Sequence, residues 1–317
     1  MSTDRFSAGF AFVEAGVDRA SELREDPEAI RTYWCAGDTQ LVFMRADGRV
    51  LLDATGQLCT AVPARLPHID PACASFLGLR GSIARFSLVV DDAALSGCAD
   101  PDSLRFADLR GALGMLDAAD AGLAANARAL AHWQSRKRWC GVCGAPTRLT
   151  HAGHRAECSD PQCAATYFPR TDPAIIVIVA SGRHCLLGRQ RSWPQNRYST
   201  LAGFVEPGET LEQAVAREVA EESGVRIDHC RYLGSQPWPF PASLMLGFEA
   251  QATLQSPVVG SELADARWFD ADAMPRLIES GELALSPAMS IAFHLIDHWY
   301  RGLTGRSLTP GQPLALR

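Results

Sequence analysis

The order of apolar and polar positions predicts an alternation of strands and helices along the chain. The longest apolar run, residues 174–180, is short and rich in β-branched side chains, which predicts a buried strand. The N-terminal part carries further patterns: strands at 40–44 and 49–53 around an Asp47-Gly48 turn, a strand at 85–91, and a helix from about Phe106 to Leu130. No internal repeat is visible in the sequence.

A second helix is predicted from about residue 211 to 223. Thr210 is followed three residues later by Gln213, which is typical of a capping box, and Gly224 stands where a left-handed C-cap would end the helix. Leu211 and the apolar pair at 214–215 form a stripe near its start. The helix is therefore expected to bury this side.

Three carboxylates continue the same stripe, at Glu218, Glu221 and Glu222. At about 100° per residue all three would point toward the buried side, where they could not all stay ionised without a cation. Oxygen ligands favour Mg²⁺ or Mn²⁺. The alternative is a solvated acidic face with one apolar turn.

The wider spacing favours the metal site. It resembles the twenty-three-residue signature of the Nudix hydrolases, and the matching positions are Gly203, Glu209, Arg217-Glu218-Val219, Glu221-Glu222 and Gly224-Val225. The resemblance implies a loop-helix-loop that binds divalent metal and hydrolyses a nucleoside diphosphate linked to another group.

The same resemblance implies roles for individual residues. Glu218 and Glu222 would be the main metal ligands, with Glu221 nearby and the Ala202 carbonyl contributing from the loop. Arg217 would orient Glu209 and the catalytic carboxylates. Bound metal would neutralise charge on the diphosphate and lower the pKa of a bound water.

A proline-rich segment follows the helix, from Ser235 to Met245, and its three prolines within five positions exclude an ordinary central strand or helix. Taken alone, it could be a rigid loop whose aromatic rings fill a core. It is similar, however, to the motif that separates the NADH pyrophosphatase family from other Nudix enzymes. That resemblance implies a dinucleotide site lined by Gln236, Pro237, Trp238, Pro239, Phe240, Pro241, Ala242 and Ser243. It also implies a further metal-binding glutamate, Glu262, and substrate contacts from the backbone near Ala292 and from Arg110.

Four of the ten cysteines are spaced as two short pairs: Cys140, Cys143, Cys158 and Cys163. Two cysteine knuckles separated by a hairpin-sized insert predict a tetrahedral, structural Zn²⁺ site, with disulfides as the alternative. The NADH pyrophosphatase family is similar in placing a zinc ribbon before its Nudix domain. The second pair is separated by four residues, where many bacterial members have two.

Two aromatic residues are candidates for stacking on a base. Phe204 follows the first glycine of the signature, and Phe168 precedes Pro169 just after the ribbon. In the family, aromatic residues at these places sandwich a base, one from each subunit of a homodimer with a shared active site. The alternative is that both rings fill the core.

Composition limits the class of protein. The 317 residues are 47% hydrophobic and 21% charged with a formal net charge of −6, which is typical of a globular protein and lacks the basic footprint of a dedicated nucleic-acid binder. The longest apolar run is far shorter than the roughly 20 residues of a membrane helix. We see no signal sequence, and we expect no membrane partner and a cytoplasmic location.

The sequence thus predicts an α+β protein in three parts: an N-terminal mixed, β-rich domain (1–136), a zinc ribbon (137–169), and a Nudix α/β/α sandwich with a mixed sheet (170–317). The resemblance implies hydrolysis of NAD(H) to nicotinamide mononucleotide and AMP, and removal of an NAD cap from RNA 5′ ends to leave 5′-monophosphate RNA. One alternative is a Nudix hydrolase of ADP-ribose or dinucleoside polyphosphates. Another is a zinc-ribbon RNA-binding module with an inactive Nudix domain.

Overall fold

A computed structural model of the chain describes residues 6, 10–13, 16–66, 69–91 and 104–308. It divides into two compact units. The C-terminal unit comprises Met1–Phe10, Asp172–Pro237 and Ser243–Arg317, and the N-terminal unit comprises Ala11–Thr171 together with Trp238–Ala242. The three predicted domain boundaries stay a prediction. Among the described helices, none has the length and apolar character that crossing a membrane requires.

The described residues of the N-terminal unit form a six-stranded sheet, a three-stranded sheet and three α-helices. Its elements are α1 (Pro27–Cys35), β1 (Gln40–Arg45), β2 (Val50–Leu52), β3 (Thr60–Ala61), β4 (Ala74–Arg80), β5 (Ile83–Val90), β6 (Arg105–Ala107), α2 (Leu109–Ala112), α3 (Ala118–Arg136), β7 (Thr147–Thr150), β8 (Arg155–Cys158) and β9 (Thr166–Tyr167), with 3-10 turns at Ser21–Glu25, Pro63–Arg65 and Pro71–Cys73. The predicted hairpin is confirmed as β1 and β2, and the predicted strand at 85–91 as β5.

In the part of the C-terminal unit that the structure describes, the chain forms a second six-stranded sheet and three α-helices. Its elements are β10 (Asp172–Ser181), β11 (His184–Gln190), β12 (Leu201–Phe204), α4 (Leu211–Ser223), β13 (Ile227–Trp238), β14 (Ser243–Ala252), β15 (Leu263–Asp270), α5 (Met274–Glu279) and α6 (Ile291–Thr304). The last residue of β13, Trp238, already belongs to the N-terminal unit.

Strand β10 explains why this unit is a sandwich. Alternate side chains point to opposite faces of a strand, and here both faces are covered. Ile175, Val177 and Val179 join a core with the apolar side of α4. Ile176 and Ile178 join a second core with the apolar side of α6. The uninterrupted apolar run is therefore a central strand with a helix layer on each side, and the predicted α/β/α sandwich with a mixed sheet is confirmed.

The two six-stranded sheets share one topology. The first has the order β4-β5-β1-β2-β6 with β3 paired to β1, and the second has the order β13-β14-β10-β11-β15 with β12 paired to β10. Each strand of the first sheet thus has a counterpart nine strands later in the chain. No repeat is visible in the sequence because the two sheets share strand order and direction and not a repeated pattern of side chains.

The two copies differ in one connection. Between β12 and β13 the chain forms α4, whereas the described part of the connection between β3 and β4, residues 62–66 and 69–73, forms two 3-10 turns. The helix that follows the last strand is present in both, since α3 packs on β1 and β4 and α6 packs on β10 and β14. The first copy therefore keeps the sheet and its closing helix.

The predicted long helix from Phe106 to Leu130 is wrong in its first part. Phe106 lies in β6 and pairs with Leu51 of β2. Two helices follow, each begun by a separate aspartate cap: Asp108 accepts from the Arg110 N–H, and Asp117 accepts from the Asp120 N–H. The apolar spacing continued across two helix starts, and only the caps marked the break.

One contact of the hairpin β7–β8 makes the stability of the N-terminal unit depend on pH. His154 Nε2 lies 2.7 Å from the Phe76 carbonyl oxygen. Burial, with the charges of Arg24 and Arg19, lowers the pKa of His154 from 6.5 to about 4. Between these values the unfolded chain binds a proton that the folded chain does not, so stability is lost as pH falls from 6.5 toward 4.

We therefore expect His154→Gln, which still offers an N–H to the carbonyl, to lose less unfolding free energy than the wild type over this interval. Urea unfolding of both proteins at several pH values measures the difference. Equal pH slopes would contradict the assignment.

Candidate functional site

The loop-helix-loop forms as predicted. Helix α4 runs from Leu211 to Ser223, Thr210 and Gln213 make the reciprocal capping box, and Gly224 ends the helix with φ 70°. The preceding strand β12 pairs antiparallel with β10, with Ala202 opposite Ile176. These contacts hold the loop and the helix against the same sheet.

Two of the three signature carboxylates lie on the buried side of the helix. Glu218 is 8% exposed and Glu222 is 7% exposed. The prediction that Glu221 joins them is wrong, because its side chain is 60% exposed. Glu221 lies about 100° around the helix from Glu222, on the side of Arg217 rather than of the core.

Glu218 lies directly against the loop backbone at Gly203. A Cβ atom on Gly203 would be 1.9 Å from the Glu218 carboxyl carbon and 2.0 Å from Oε1. No side chain fits in that space while the carboxylate stays where it is. Glycine at this position thus allows the close approach of helix and loop.

Arg217 connects the loop to the helix with one guanidinium group. Its Nε and Nη2 donate to the two carboxylate oxygens of Glu209 at 2.6 and 2.9 Å. Its Nη1 donates to Glu218 at 2.9 Å and to Glu221 at 3.0 Å. Nη2 also donates to the Phe204 carbonyl at 2.9 Å. This is the orienting arrangement that the resemblance implied for Arg217.

The pKa values separate these carboxylates. The hydrogen bonds from Arg217 lower the pKa of Glu209 to about 2. Burial raises the pKa of Glu218, although Arg217 opposes the shift. Burial, together with the negative charges of Glu218 and Glu262, raises the pKa of Glu222 to about 8. A divalent cation among Glu218, Glu222 and Glu262 would remove the cause of this repulsion, so the donor set fits a hard metal ion.

Ala202 and Glu262 are the predicted ligands that lie outside helix α4. The Ala202 N–H donates to Glu222 Oε2 at 3.3 Å, which brings the loop backbone to the carboxylate. Glu262 is exposed just before β15, and its charge acts on both buried glutamates. The metal role of each residue stays a prediction.

Gln236 bonds the backbone at the start of α6, next to Ala292 in the sequence. Gln236 is fully buried, its Nε2 donates to the Met289 carbonyl at 2.7 Å, and its Oε1 accepts from the Ile291 N–H at 2.8 Å. Ala292 is also buried, and its N–H donates to the Ser290 cap. The Gln236 amide thus bonds the backbone at the helix start, a positioning arrangement that the sequence did not indicate.

The segment Trp238–Ala242 packs within the N-terminal unit. The rings of Trp238 and Phe240 are 5.2 Å apart between centroids, and Phe12 packs at 6.2 and 5.7 Å from them. The Arg110 guanidinium lies 4.1 Å from the Phe240 ring centroid. The structure therefore places Arg110 against the proline-rich segment. Their contact with substrate stays a prediction.

The remaining motif residues border this segment. Pro237, in edge strand β13, and Pro241 are exposed, Pro239 is buried, and Ala242 and Ser243 are half-buried. A proline in an edge strand removes no internal ladder bond, which agrees with the exclusion of a central strand.

The two predicted stacking rings are exposed. Phe204 is 59% exposed in the C-terminal unit, and Phe168 is 57% exposed in the N-terminal unit. Neither ring fills a core, which removes the alternative reading of both. Arg155 lies 5.3 Å from the Phe168 centroid.

The cysteine quartet forms a cluster with metal-binding geometry. The sulfur atoms of Cys140, Cys143, Cys158 and Cys163 lie within 4.8 Å of one another, and no disulfide joins them. The Cys140–Cys163 and Cys143–Cys158 distances are 3.7 and 3.4 Å. A zinc ion bonded to four sulfurs at about 2.3 Å needs sulfurs about 3.8 Å apart. The wider second pair therefore does not prevent the cluster.

Tyr167 supports this cluster. Its hydroxyl lies 3.1 Å from Cys140 Sγ and accepts from the Gly141 N–H at 2.9 Å. The hydrogen bond to Tyr167 lowers the pKa of the Cys140 thiol to about 6, which favours the thiolate that a metal ion requires. The sequence does not predict this contact of Tyr167, because it depends on the fold of the knuckle.

Two known protein families match this chain, one in each half. The family described as NUDIX domain matches residues 169–289. The family described as NADH pyrophosphatase-like rudimentary NUDIX domain matches residues 39–133. The protein named NAD-capped RNA hydrolase NudC of Mycobacterium bovis (strain BCG / Pasteur 1173P2) is 38% identical over 301 residues, which are 90% of this chain and 92% of that protein.

The chain belongs to the NADH pyrophosphatase family of Nudix hydrolases. The rudimentary domain of this family accounts for the first of the two sheets, which repeats the Nudix strand order. Nudix hydrolases use divalent metal ions, and the carboxylate set described above fits that requirement.

Two further similar proteins match a smaller part of this chain. The protein named NAD-capped RNA hydrolase NUDT12 of Macaca fascicularis is 41% identical over 202 residues, and the match spans 60% of this chain and 44% of that protein. A crystal structure of a NUDIX hydrolase from Nitrosomonas europaea has a TM-score of 0.41 at 19% identity, covering 55% of this chain and 96% of that one.

The contact of Glu218 with Gly203 gives a direct test of the site. In Gly203→Ala the added methyl group would force the Glu218 carboxylate away from the loop, because the two would overlap. We expect a loss of about 1–3 kcal/mol in the free energy of unfolding, typical of overpacking, and at least tenfold weaker Mn²⁺ binding by electron paramagnetic resonance titration.

The control is Gly302→Ala in the same unit, where an added methyl group meets nothing within 4 Å. It should leave Mn²⁺ affinity unchanged. Unchanged Mn²⁺ affinity in Gly203→Ala would contradict the assignment of Glu218.

Proposed function

We propose that this chain hydrolyses the diphosphate of NAD(H) to nicotinamide mononucleotide and AMP, and that it removes the NAD cap from RNA 5′ ends to leave 5′-monophosphate RNA. The observation that carries the proposal is the buried pair Glu218 and Glu222 against the glycine loop, in a chain that also has the proline-rich segment. The two named relatives, both NAD-capped RNA hydrolases, support it.

The glutamates would hold Mg²⁺ or Mn²⁺. Glu218, Glu222 and Glu262 would supply carboxylate oxygens, the Ala202 carbonyl would add a backbone oxygen, and the exposed Glu221 would be a further carboxylate ligand. The bound metal would supply charge neutralisation on the diphosphate and a water of lowered pKa.

The protein itself supplies preorganisation. Arg217 holds Glu209 as a carboxylate and keeps Glu218 turned toward the loop, so the ligands do not have to reorganise when the diphosphate arrives. Glu222 accepts an N–H from the loop and has no hydrogen bond to an arginine among the described residues, which leaves it the glutamate most dependent on metal for its ionised form.

Flat ring surfaces and the proline-rich segment would hold the parts of the dinucleotide other than its diphosphate. Stacking on an exposed ring is worth about 1–3 kcal/mol per base and tolerates different bases. Phe168 and Phe204 are exposed enough for this, and we propose that they act across a homodimer. Arg110 and residues 237–243 would contact the substrate, with Gln236 holding the backbone beside Ala292.

We also propose roles for the three domains and a location for the protein. Residues 170–317 would be the catalytic domain, residues 137–169 a ribbon holding structural Zn²⁺, and residues 1–136 a supporting domain. A cytoplasmic location is supported by the unbridged cysteine quartet, since reduced thiolate clusters are typical of reducing compartments.

Replacement of Glu222 by Gln tests the catalytic assignment. The change keeps size and removes the charge, so kcat for NADH should fall at least about 100-fold at saturating Mg²⁺ or Mn²⁺. Glu212→Gln on the exposed side of the same helix is the matched control and should keep wild-type turnover. Retained turnover in Glu222→Gln would exclude the metal assignment.

A substrate panel tests the reaction itself. We expect mass analysis of NADH cleavage to find reduced nicotinamide mononucleotide and AMP, and NAD-capped RNA to yield 5′-monophosphate RNA. Values of kcat/KM for NADH, NAD⁺, ADP-ribose and NAD-capped RNA under one metal condition rank the substrates. A preference for ADP-ribose over every nicotinamide substrate would overturn the proposal.

The zinc assignment has a test independent of catalysis. In Tyr167→Phe the hydroxyl that bonds Cys140 is lost, so zinc affinity should fall about 10-fold, as for other outer-shell partners. A colorimetric chelator competition measures it. Tyr232→Phe, which removes an exposed hydroxyl, is the control. Equal affinities would show that Tyr167 does not support the metal.

A further inference from the structure

One arginine of helix α3 bonds two distant parts of the N-terminal unit. Arg128 Nε donates to the Pro239 carbonyl at 2.7 Å, and its Nη1 donates to the Gly48 carbonyl. Its guanidinium carbon also lies 4.9 Å from the Phe240 ring centroid. Arg128 therefore joins the proline-rich segment to the turn between β1 and β2 through backbone oxygens and a ring.

The turn is shaped to receive this side chain. Gly48 has φ +83°, and a Cβ atom there would lie 2.1 Å from Arg128 Nη1. Glycine is thus needed twice, for the backbone conformation and for the close approach of the guanidinium group. The planar fork of arginine reaches two acceptors in fixed directions, which the single ammonium of lysine does not reproduce.

Arg128 and Arg110 contact the same ring in different ways. Arg110 Nε is buried without a hydrogen-bond partner among the described residues, so that group keeps bonding capacity. The Nε and Nη1 of Arg128 are instead bonded to carbonyls of the protein itself. Burial lowers the pKa of Arg128, while the charges of Asp108 and Asp47 support its charged form. Its geometry is that of a residue that holds another segment.

We propose that Arg128 is a positioning residue for the reaction: it fixes Pro239 and Phe240 to the β1–β2 turn, and through them sets the affinity for the dinucleotide. The rudimentary domain thereby takes part in substrate binding without contributing a catalytic group. This inference rests on the proposed function, since it needs NADH as substrate.

The test is a set of steady-state measurements on the full-length chain with NADH. Arg128→Lys keeps the charge and loses the fork, and we expect KM to rise about tenfold, as for loss of a charged hydrogen bond, with kcat within about threefold of wild type. The affinity for Mn²⁺ should not change. Arg136→Lys, an exposed arginine at the end of the same helix, is the control and should match wild type.

A double-mutant cycle shows whether Arg128 acts through the segment. Phe240→Leu removes the ring, and in that background Arg128→Lys should raise KM by clearly less than in the wild type. A merely structural role would instead lower stability, Mn²⁺ affinity and kcat together. Arg128→Gln, which keeps one donor, is measured beside it, so that a poorly folded lysine variant does not decide the result.

The outcomes separate the two proposals. If wild-type protein does not cleave NADH, the proposed function fails, whatever the variants do. If wild type cleaves NADH and folded Arg128 variants keep KM within twofold, or the KM effect is the same with and without the Phe240 ring, the positioning role is overturned. A raised KM that depends on Phe240 supports it.

Discussion

The candidate active site depends on one guanidinium group placed among carboxylates. Arg217 bonds Glu209, Glu218, Glu221 and the backbone at Phe204, so it neutralises part of the charge and ties the helix to the loop at once. Without it, the negative charges at the helix would repel each other next to an apolar core. Arg217 bonds some of the carboxylates and not Glu222, so it also contributes to the difference between their pKa values. One carboxyl has a pKa near 2 and another a pKa near 8 within the same short segment.

The duplicated sheet shows how much of a Nudix fold is needed for chemistry and how much for support. Both copies keep the strand order and the closing helix, and they differ where α4 stands in one and 3-10 turns stand in the other. The signature glutamates lie on α4, and the described part of the matching connection in the first sheet has no counterpart to that helix. The closing helix α3 remained free to carry other side chains, and Arg128 is one of them.

Local signals predicted much of this. The caps of α4, the central strand at 174–180 and the cysteine cluster follow from spacings within a few residues, which the chain satisfies wherever it is placed. What the sequence hid depends on distant contacts. The exposure of Glu221 depends on which edge of the helix stripe faces the sheet. The role of Gln236 depends on its bonds to the start of α6. The role of Gly203 depends on the carboxylate of Glu218, fifteen residues later in the chain. The duplication was invisible because strand order leaves no periodicity in the sequence.

A proline-rich segment is easily fixed by a few contacts within its own unit. Its prolines restrict the backbone in advance, so little conformational entropy is left to remove when it is fixed. A few bonds at Pro239 and Phe240 are then enough to set the direction of the whole segment. The glutamates of α4 do not depend on these bonds, because α4 and the loop contact each other through Arg217 and Gly203. The proline-rich segment and the signature glutamates are thus stabilised by separate contacts, each within its own unit.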